Sequence, residues 1–366
     1  MTQSLPAVSN RSAQSGVRSR APVFVLGCVR SGTTLLYHML LSAGNFAVYR
    51  AESSVFNLLE PRFGDLSVER NKRRLLEAWC ESRLYTLSGL DKQEIAAKVM
   101  NECRNGGDFL RIVMSEMAAK QGVGRWADTT PEHILYLRRI KETIPDALVI
   151  HIIRDGRDVA LSTDKLGYIR RLPWDRKPSK MAAGLYWEWM VGKGRRDGCD
   201  LGDDYTEVHF EELISQPRET LARLGQFIEQ DLDYDQIRQV GIGSVSAPNT
   251  SFASESEESF QPVGRWQTGY SAEELAMFEG LVGQTLEENG YALGCKDGAG
   301  ENREQGSADL RMMQERRQRR ADHRLAGNLA ILLGHVAARA QAPSACDDNG
   351  SDRVGHLMLR AIPAWL

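Results

Sequence analysis

Apolar residues in this chain alternate between short continuous runs and helical spacing. Val23–Leu26 is a four-residue apolar run closed by Gly27, and Leu35, Leu36, Met39 and Leu40 then recur every three to four positions up to Gly44. The first pattern fits a buried strand and the second a helix. Residues 22–44 therefore read as strand, tight loop, helix. The order repeats. Residues 147–153, ALVIHII, are almost wholly apolar, as a central parallel strand requires, and a helix follows through Val159, Ala160 and Leu161. A third strand is expected at 206–210 with a helix over 213–228, and weaker strand signals lie at 45–50 and 124–127.

Between the first two units the period becomes helical. Across 66–121, Val68, Leu75, Leu76, Trp79 and Leu84 form one stripe. Ile95, Val99 and Met100 form a second, and Phe109, Leu110, Val113, Met114 and Met117 a third. This predicts a helical insertion, placed where a substrate wall or lid would sit. Asp128-Thr129-Thr130-Pro131 reads as the cap of a helix carrying Ile134, Leu135, Leu137 and Ile140. Tyr186, Trp187 and Trp189 fall on another helix, where packing explains them best. Residues 244–258 are a serine-rich loop, and Ser271 with Glu274 is a capping box opening a helix that runs to Asn289 and stops at Gly290.

Repeated strand-then-helix order predicts an α/β fold: a P-loop-like parallel sheet flanked by helices, with the helical insertion and a C-terminal helical extension. Residues 1–20 are expected to be a disordered lead and 21–295 the α/β domain. A linker and the extension fill 296–366, with a helix over 310–340 and a partly apolar end at 354–366. Ligands of such sheets bind beyond the carboxyl ends of the strands. Arg30, Glu52 and Arg154 then share one rim.

Composition narrows the function class. The chain has 366 residues, 42% of them hydrophobic and 26% charged, as in a soluble globular protein. A formal net charge of −3 gives no global pull toward nucleic acid or anionic membrane. The six cysteines show no C-x-x-C spacing, which predicts free thiols in a reducing compartment. The first 20 residues lack the apolar core of a secretory signal, and no apolar stretch reaches the length of a membrane span. A cytoplasmic location is expected. Arg311, Arg316, Arg317, Arg319, Arg320 and Arg324 precede an apolar run at 325–336. Such a helix either docks on the domain, the preferred reading, or lies on anionic lipid.

The loop at 27–34, Gly-Cys-Val-Arg-Ser-Gly-Thr-Thr, carries the clearest chemistry. Gly27, Gly32 and Thr34 match a Walker A spacing, but Thr33 stands at the lysine position and the positive charge is upstream at Arg30. That argues against a kinase or NTPase. An anion site of backbone amides, hydroxyls and a guanidinium remains. An ordinary Gly-containing turn is the plain alternative. A second anion signal is Arg154 at a strand end with Ser162 eight residues on, about two helical turns. On spacing alone, Arg154, Asp155, Arg157 and Asp158 pairing with one another at the surface explains the same residues. His38, His133 and His151 read as packing positions.

Residues 27–36, GCVRSGTTLL, followed by 152–162, IIRDGRDVALS, resemble the PAPS-dependent sulfotransferases, PAPS being 3′-phosphoadenosine 5′-phosphosulfate. The branch that includes tyrosylprotein and some bacterial sulfotransferases is similar. The resemblance implies that Arg30, Ser31, Gly32, Thr33 and Thr34 hold the 5′-phosphosulfate and that Arg154 and Ser162 hold the 3′-phosphate. Glu52 matches the glutamate taken as the base in such relatives. Residues 208–217 resemble the family's strand-and-helix segment, and Gly264-Arg265-Trp266 its late nucleotide-contacting loop, with Trp266 against the adenine. Where many relatives read Lys-Thr-Pro this chain has Thr129-Thr130-Pro131. The implied activity is metal-free transfer of a sulfuryl group to a hydroxyl acceptor, whether sugar, lipid, small molecule or peptide tyrosine. A non-catalytic PAP-binding module is the other reading.

Overall fold

Val23–Leu26 (β1) is buried along its whole length because it lies between two neighbours. Ala127–Asp128 (β2) pairs on one side and Leu148–Ile153 (β3) on the other, with Tyr205–His209 (β4) beyond β3. All pairings are parallel, in the order β2-β1-β3-β4. Side chains alternate between the two faces, as the period of a strand demands. Phe24, Leu26, Val149 and Ile153 enter one core, shared with Trp187 and the helical insertion. Val23, Val25, Ile150 and Ile152 enter another, shared with Leu36, Leu40, Leu221 and Leu224. This double burial makes β1 and β3 read as continuous apolar runs. His151 is buried on β3, its Nδ1 2.6 Å from the Tyr205 hydroxyl. Burial, with Arg195 and His209 nearby, pushes it down to about 3, so it is a neutral core residue.

A computed structural model describes residues 18–168, 179–249 and 261–294. Thr33–Ser42 (α1) follows β1. The insertion holds Glu69–Cys80 (α2), Arg83–Ser88 (α3), Lys92–Glu102 (α4) and Gly106–Gln121 (α5). Asp91 caps α4 through the amides of Gln93 and Glu94, and Asn105 caps α5 through that of Asp108. Trp79 joins the helices, edge-on to Tyr85 at 5.3 Å and to Phe109 at 5.5 Å between ring centroids. Trp79→Ala is expected to cost about 3–5 kcal/mol, read as a lower urea midpoint.

After a 3₁₀ turn at Pro131–Tyr136 come Leu137–Thr143 (α6), β3, Gly156–Leu166 (α7), Ser179–Cys199 (α8) and β4. Phe210–Ser215 (α9), Pro217–Ile228 (α10) and Ala272–Glu288 (α11) complete the helices used below. Ser271 and Glu274 make both capping-box bonds of α11.

Several expectations need correction. Residues 45–50 are not a strand; only Phe46 bridges to Arg125. The edge expected at 124–127 begins at Ala127; the Arg125 backbone makes only the isolated bridge to Phe46, its carbonyl accepting from the Ala47 amide at 2.7 Å. The single helix expected over 213–228 is two, broken where Pro217 has no N–H to continue α9. Val68 is 48% exposed, so the first stripe begins at Leu75. Pro131 opens a 3₁₀ turn, with the Thr130 hydroxyl engaged by Asp128 and Ser54 instead of capping. Arg18, assigned to the lead, donates to the Phe227 carbonyl at 2.7 Å and pairs with Asp204 at 3.1 Å. The rest of the lead, residues 250–258, the linker, the basic helix at 310–340 and the end at 354–366 lie outside the described residues.

Candidate active site

The loop between β1 and α1 is folded by close backbone approaches. A Cβ on Gly27 would sit 2.3 Å from the Ile152 carbonyl oxygen, and one on Gly32 2.4 Å from the Phe210 ring. Gly32 also has φ of 98°, open to glycine at little cost. Arg30 takes a left-handed φ of 69°, a strained conformation of the kind that gathers at ligand-binding sites. No side chain caps α1, so its first amides point out of the loop unclaimed by a cap. Ser31 is fully buried, and its hydroxyl has no partner among the described residues. Thr33 is buried and Thr34 half-buried beside it.

The second anion signal meets the first. Arg30 Nε donates to Ser162 Oγ at 3.0 Å, and Arg154 Nη1 donates to the Arg30 carbonyl at 3.0 Å. The two guanidiniums therefore lie on one side of the sheet, at the carboxyl ends of β1 and β3. Arg30's own guanidinium points toward Ser162, not back over the loop. Arg154 rests 4.5 Å from the Phe210 ring centroid and donates through Nη2 to Pro262, while Trp187 Nε1 donates to the Arg154 carbonyl at 2.9 Å. Its Nε is buried with no partner among the described residues. Burial weakens Arg154's hold on its proton; Asp158 and Glu211 oppose this, and the charges of Arg30 and Arg265 add to it. Three positive groups are thus gathered within electrostatic reach.

Asp155, Arg157 and Asp158 do not pair at the surface as the alternative reading had it. All three are buried. Arg157 grips Asp155 with two bonds, at 3.0 and 2.7 Å, and reaches Glu279 at 2.7 Å. Asp158 accepts from the amides of Gly264 and Trp266, both at 2.8 Å. This fixes the Gly264-Arg265-Trp266 segment over the start of α7. Trp266 has one ring face covered by Arg157, 3.6 Å from the centroid.

Glu52 lies after α1, on the segment that leads into the helical turn at Val55–Leu59. The segment after it is clamped to the 3₁₀ turn: Ser53 and Thr130 hydroxyls share a bond at 3.3 Å, and the Ser54 amide donates to Thr130 Oγ1 at 3.2 Å. Phe56 N–H donates to His133 Nε2 at 3.2 Å, so the ring proton sits on Nδ1 and is donated to Asp128 at 2.9 Å. Burial raises Asp128, but His133, Ser53 and the Thr130 amide more than offset it and hold that carboxyl below its usual range. Thr129, at the position of the relatives' lysine, is buried with its hydroxyl unpartnered among the described residues. Glu52 is open to solvent yet enclosed by protein on most sides. This enclosure, then Glu132 and Asp128, raises it above the ordinary carboxylate range. Val55–Leu59, just after it, is a π-helix, a form that is frequent at functional sites.

Sequence reasoning missed the Asp128–His133 pair and Glu132, since a D-x-x-x-x-H spacing carries no motif. It also missed how Tyr168 sits between charges: burial raises its hydroxyl, Arg30 lowers it, and Glu52 and Glu132 raise it again. Among the described residues no three His, Cys, Asp or Glu side chains converge as a metal site, and no helix is long and apolar enough to cross a membrane.

The family model described as "Sulfotransferase family" matches residues 22–235, more than half of the chain. Curated protein sequences contain no match. Among solved structures, the chain is similar to the sulfotransferase domain from the Synechococcus PCC 7002 olefin synthase. That match has 18% identity and a TM-score of 0.48, and covers 74% of this chain and 95% of that one. The sulfotransferase domain from the curacin biosynthetic pathway matches at 14% identity and a TM-score of 0.47, covering 75% and 98%. Retinol dehydratase, solved with androsterone and the inactive cofactor PAP, matches at 15% and 0.37, covering 74% and 81%.

Proposed function

Because this chain belongs to the sulfotransferase family, we propose that it moves a sulfuryl group from PAPS to a hydroxyl acceptor, releasing PAP and a sulfate ester. The observation that carries the donor assignment is the hydrogen-bonded run Arg154–Arg30–Ser162 beside the uncapped start of α1. The buried, unpartnered Ser31 hydroxyl and Arg154 Nε fit an anionic donor, because buried polar groups without partners are costly.

In this reading Ser31, Gly32, Thr33, Thr34 and the first amides of α1 hold the 5′-phosphosulfate. Arg154 and Ser162 hold the 3′-phosphate, with Arg265 alongside. Arg30 stands between the two, its backbone in the loop and its guanidinium at Ser162. Gly264, Arg265 and Trp266 form the strap held by Asp158. As the acceptor oxygen bonds to sulfur and the bond from sulfur to the phosphate oxygen breaks, negative charge gathers on that phosphate. Prearranged amides, hydroxyls and guanidiniums stabilise it. Glu52 takes the proton that the acceptor hydroxyl loses.

Thermal shift tests the donor. PAP without magnesium is expected to stabilise the chain by about 2.7 kcal/mol at one hundred times its Kd. ATP with magnesium should give less, because no lysine stands at Thr33. Equal stabilisation by ATP–magnesium, or none by PAP, defeats the assignment.

A further inference from the structure

Arg30 belongs to the β1–α1 loop by its backbone and to α7 by its side chain. Its left-handed φ of 69° is unfavourable for a non-glycine residue, and the surrounding bonds hold it there. Arg154 Nη1 donates to the Arg30 carbonyl at 3.0 Å, Arg30 Nε donates to Ser162 Oγ at 3.0 Å, and Arg30 Nη2 donates to the Asn249 carbonyl at 3.2 Å. Asn249 follows a 3₁₀ turn, Gly243–Val245, that is fastened to α1 by the Ser244 amide on His38 Nδ1 at 2.9 Å. The guanidinium is thus pinned between α7 and this loop. Nε and Nη2 are engaged, which leaves Nη1 open among the described residues, and the guanidinium fork suits a phosphate. Its charge is also poorly balanced. Arg154 has Asp158 at 3.8 Å, and Glu211 supports its charge as well. Among the described residues no carboxylate pairs with Arg30; burial weakens its hold on its proton, and Tyr168 opposes this.

We propose that Arg30 is a specificity-determining residue of the donor site: its guanidinium joins Arg154 and Ser162 around the 3′-phosphate and selects nucleotides that carry this group. This rests on the 3′-phosphate lying at Arg154 and Ser162. It assigns Arg30 to the other phosphate than the one the resemblance implies. The loop's part toward the 5′-phosphosulfate then falls to its amides and hydroxyls, which carry no net charge. The charge of Arg30 works against that of Arg154, as two neighbouring guanidiniums must. A 3′-phosphate, with about two negative charges at neutral pH, supplies the countercharge that the pair lacks. A 5′-monophosphate leaves the subsite empty, and the two guanidiniums continue to repel each other. Selection is therefore by charge and by fork geometry together.

Calorimetry of the full chain with PAP, 3′-AMP and 5′-AMP tests this. Arg30→Gln makes the same backbone demand but removes the charge and the fork. It is expected to weaken PAP and 3′-AMP by about 10- to 150-fold and 5′-AMP by less than about twofold. Parallel losses for PAP and 5′-AMP, or an unchanged PAP affinity, overturn the proposal. Arg30→Lys keeps the test available if Arg30→Gln does not fold. There the charge stays and the fork goes, so the loss is smaller but falls on the same two nucleotides. A loss that falls on 5′-AMP as well overturns the proposal again. The wild type separates the two ideas. No preference for PAP over 5′-AMP there sinks the donor assignment and this proposal with it. A preference for PAP that Arg30→Gln leaves intact sinks this proposal alone.

Discussion

Glu52→Gln is expected to lower sulfuryl transfer by about 10²- to 10⁴-fold while PAP affinity stays nearly unchanged. The amide keeps the shape and a hydrogen-bonding oxygen but holds no acceptor proton. Glu52 precedes a segment fastened to Thr130 and His133, and none of these bonds involves Arg30, Arg154 or Ser162. The check is transfer of labelled sulfate from PAPS into a cell extract, paired with calorimetry of PAP. The wild type carries a pH signature as well. Enclosure, Glu132 and Asp128 raise the Glu52 carboxyl, and only its ionised form accepts a proton. Turnover should therefore climb with pH through a midpoint above the ordinary carboxylate range. An unchanged rate in Glu52→Gln removes this residue from the role.

The parts of this site that were readable in the sequence are those set by backbone chemistry. β1, the loop and α1 were legible because an apolar run, two glycines and a helical stripe sit side by side in the chain. β3 was legible because burial on both faces leaves no polar alternation. The meeting of Arg30 with Ser162 was not legible. They are 132 positions apart, and only the parallel pairing of β1 with β3 brings the loop to α7. The same limit hid Glu132. Its charge bears on Cys28, Glu52, Tyr168 and Tyr186, all distant from it in the chain, and one glutamate after a proline carries no spacing signal. Asp158 shows the converse. Its local pattern suggested surface ion pairing, but two backbone amides from more than one hundred residues away claim its carboxylate.

Arg154→Ala is expected to weaken PAP binding by about 1.5–3 kcal/mol, or about 10- to 150-fold, the worth of hydrogen bonds to a charged group. The same change should leave 5′-AMP affinity almost untouched, because that nucleotide lacks the 3′-phosphate. The comparison matters because Arg154 has structural duties. It donates to the carbonyls of Arg30 and Pro262 and covers the Phe210 ring, so its loss leaves buried acceptors bare and lowers the melting temperature. A general loosening of the loop and the strap would weaken PAP and AMP alike. A selective loss means the guanidinium itself touches the 3′-phosphate. Arg154→Lys sharpens the distinction. It keeps the charge but not the planar fork that reaches two carbonyls and leaves Nε for a ligand. Its PAP affinity should fall between wild type and Arg154→Ala, and its advantage over Arg154→Ala should shrink as salt rises and screens the charge that alanine lacks.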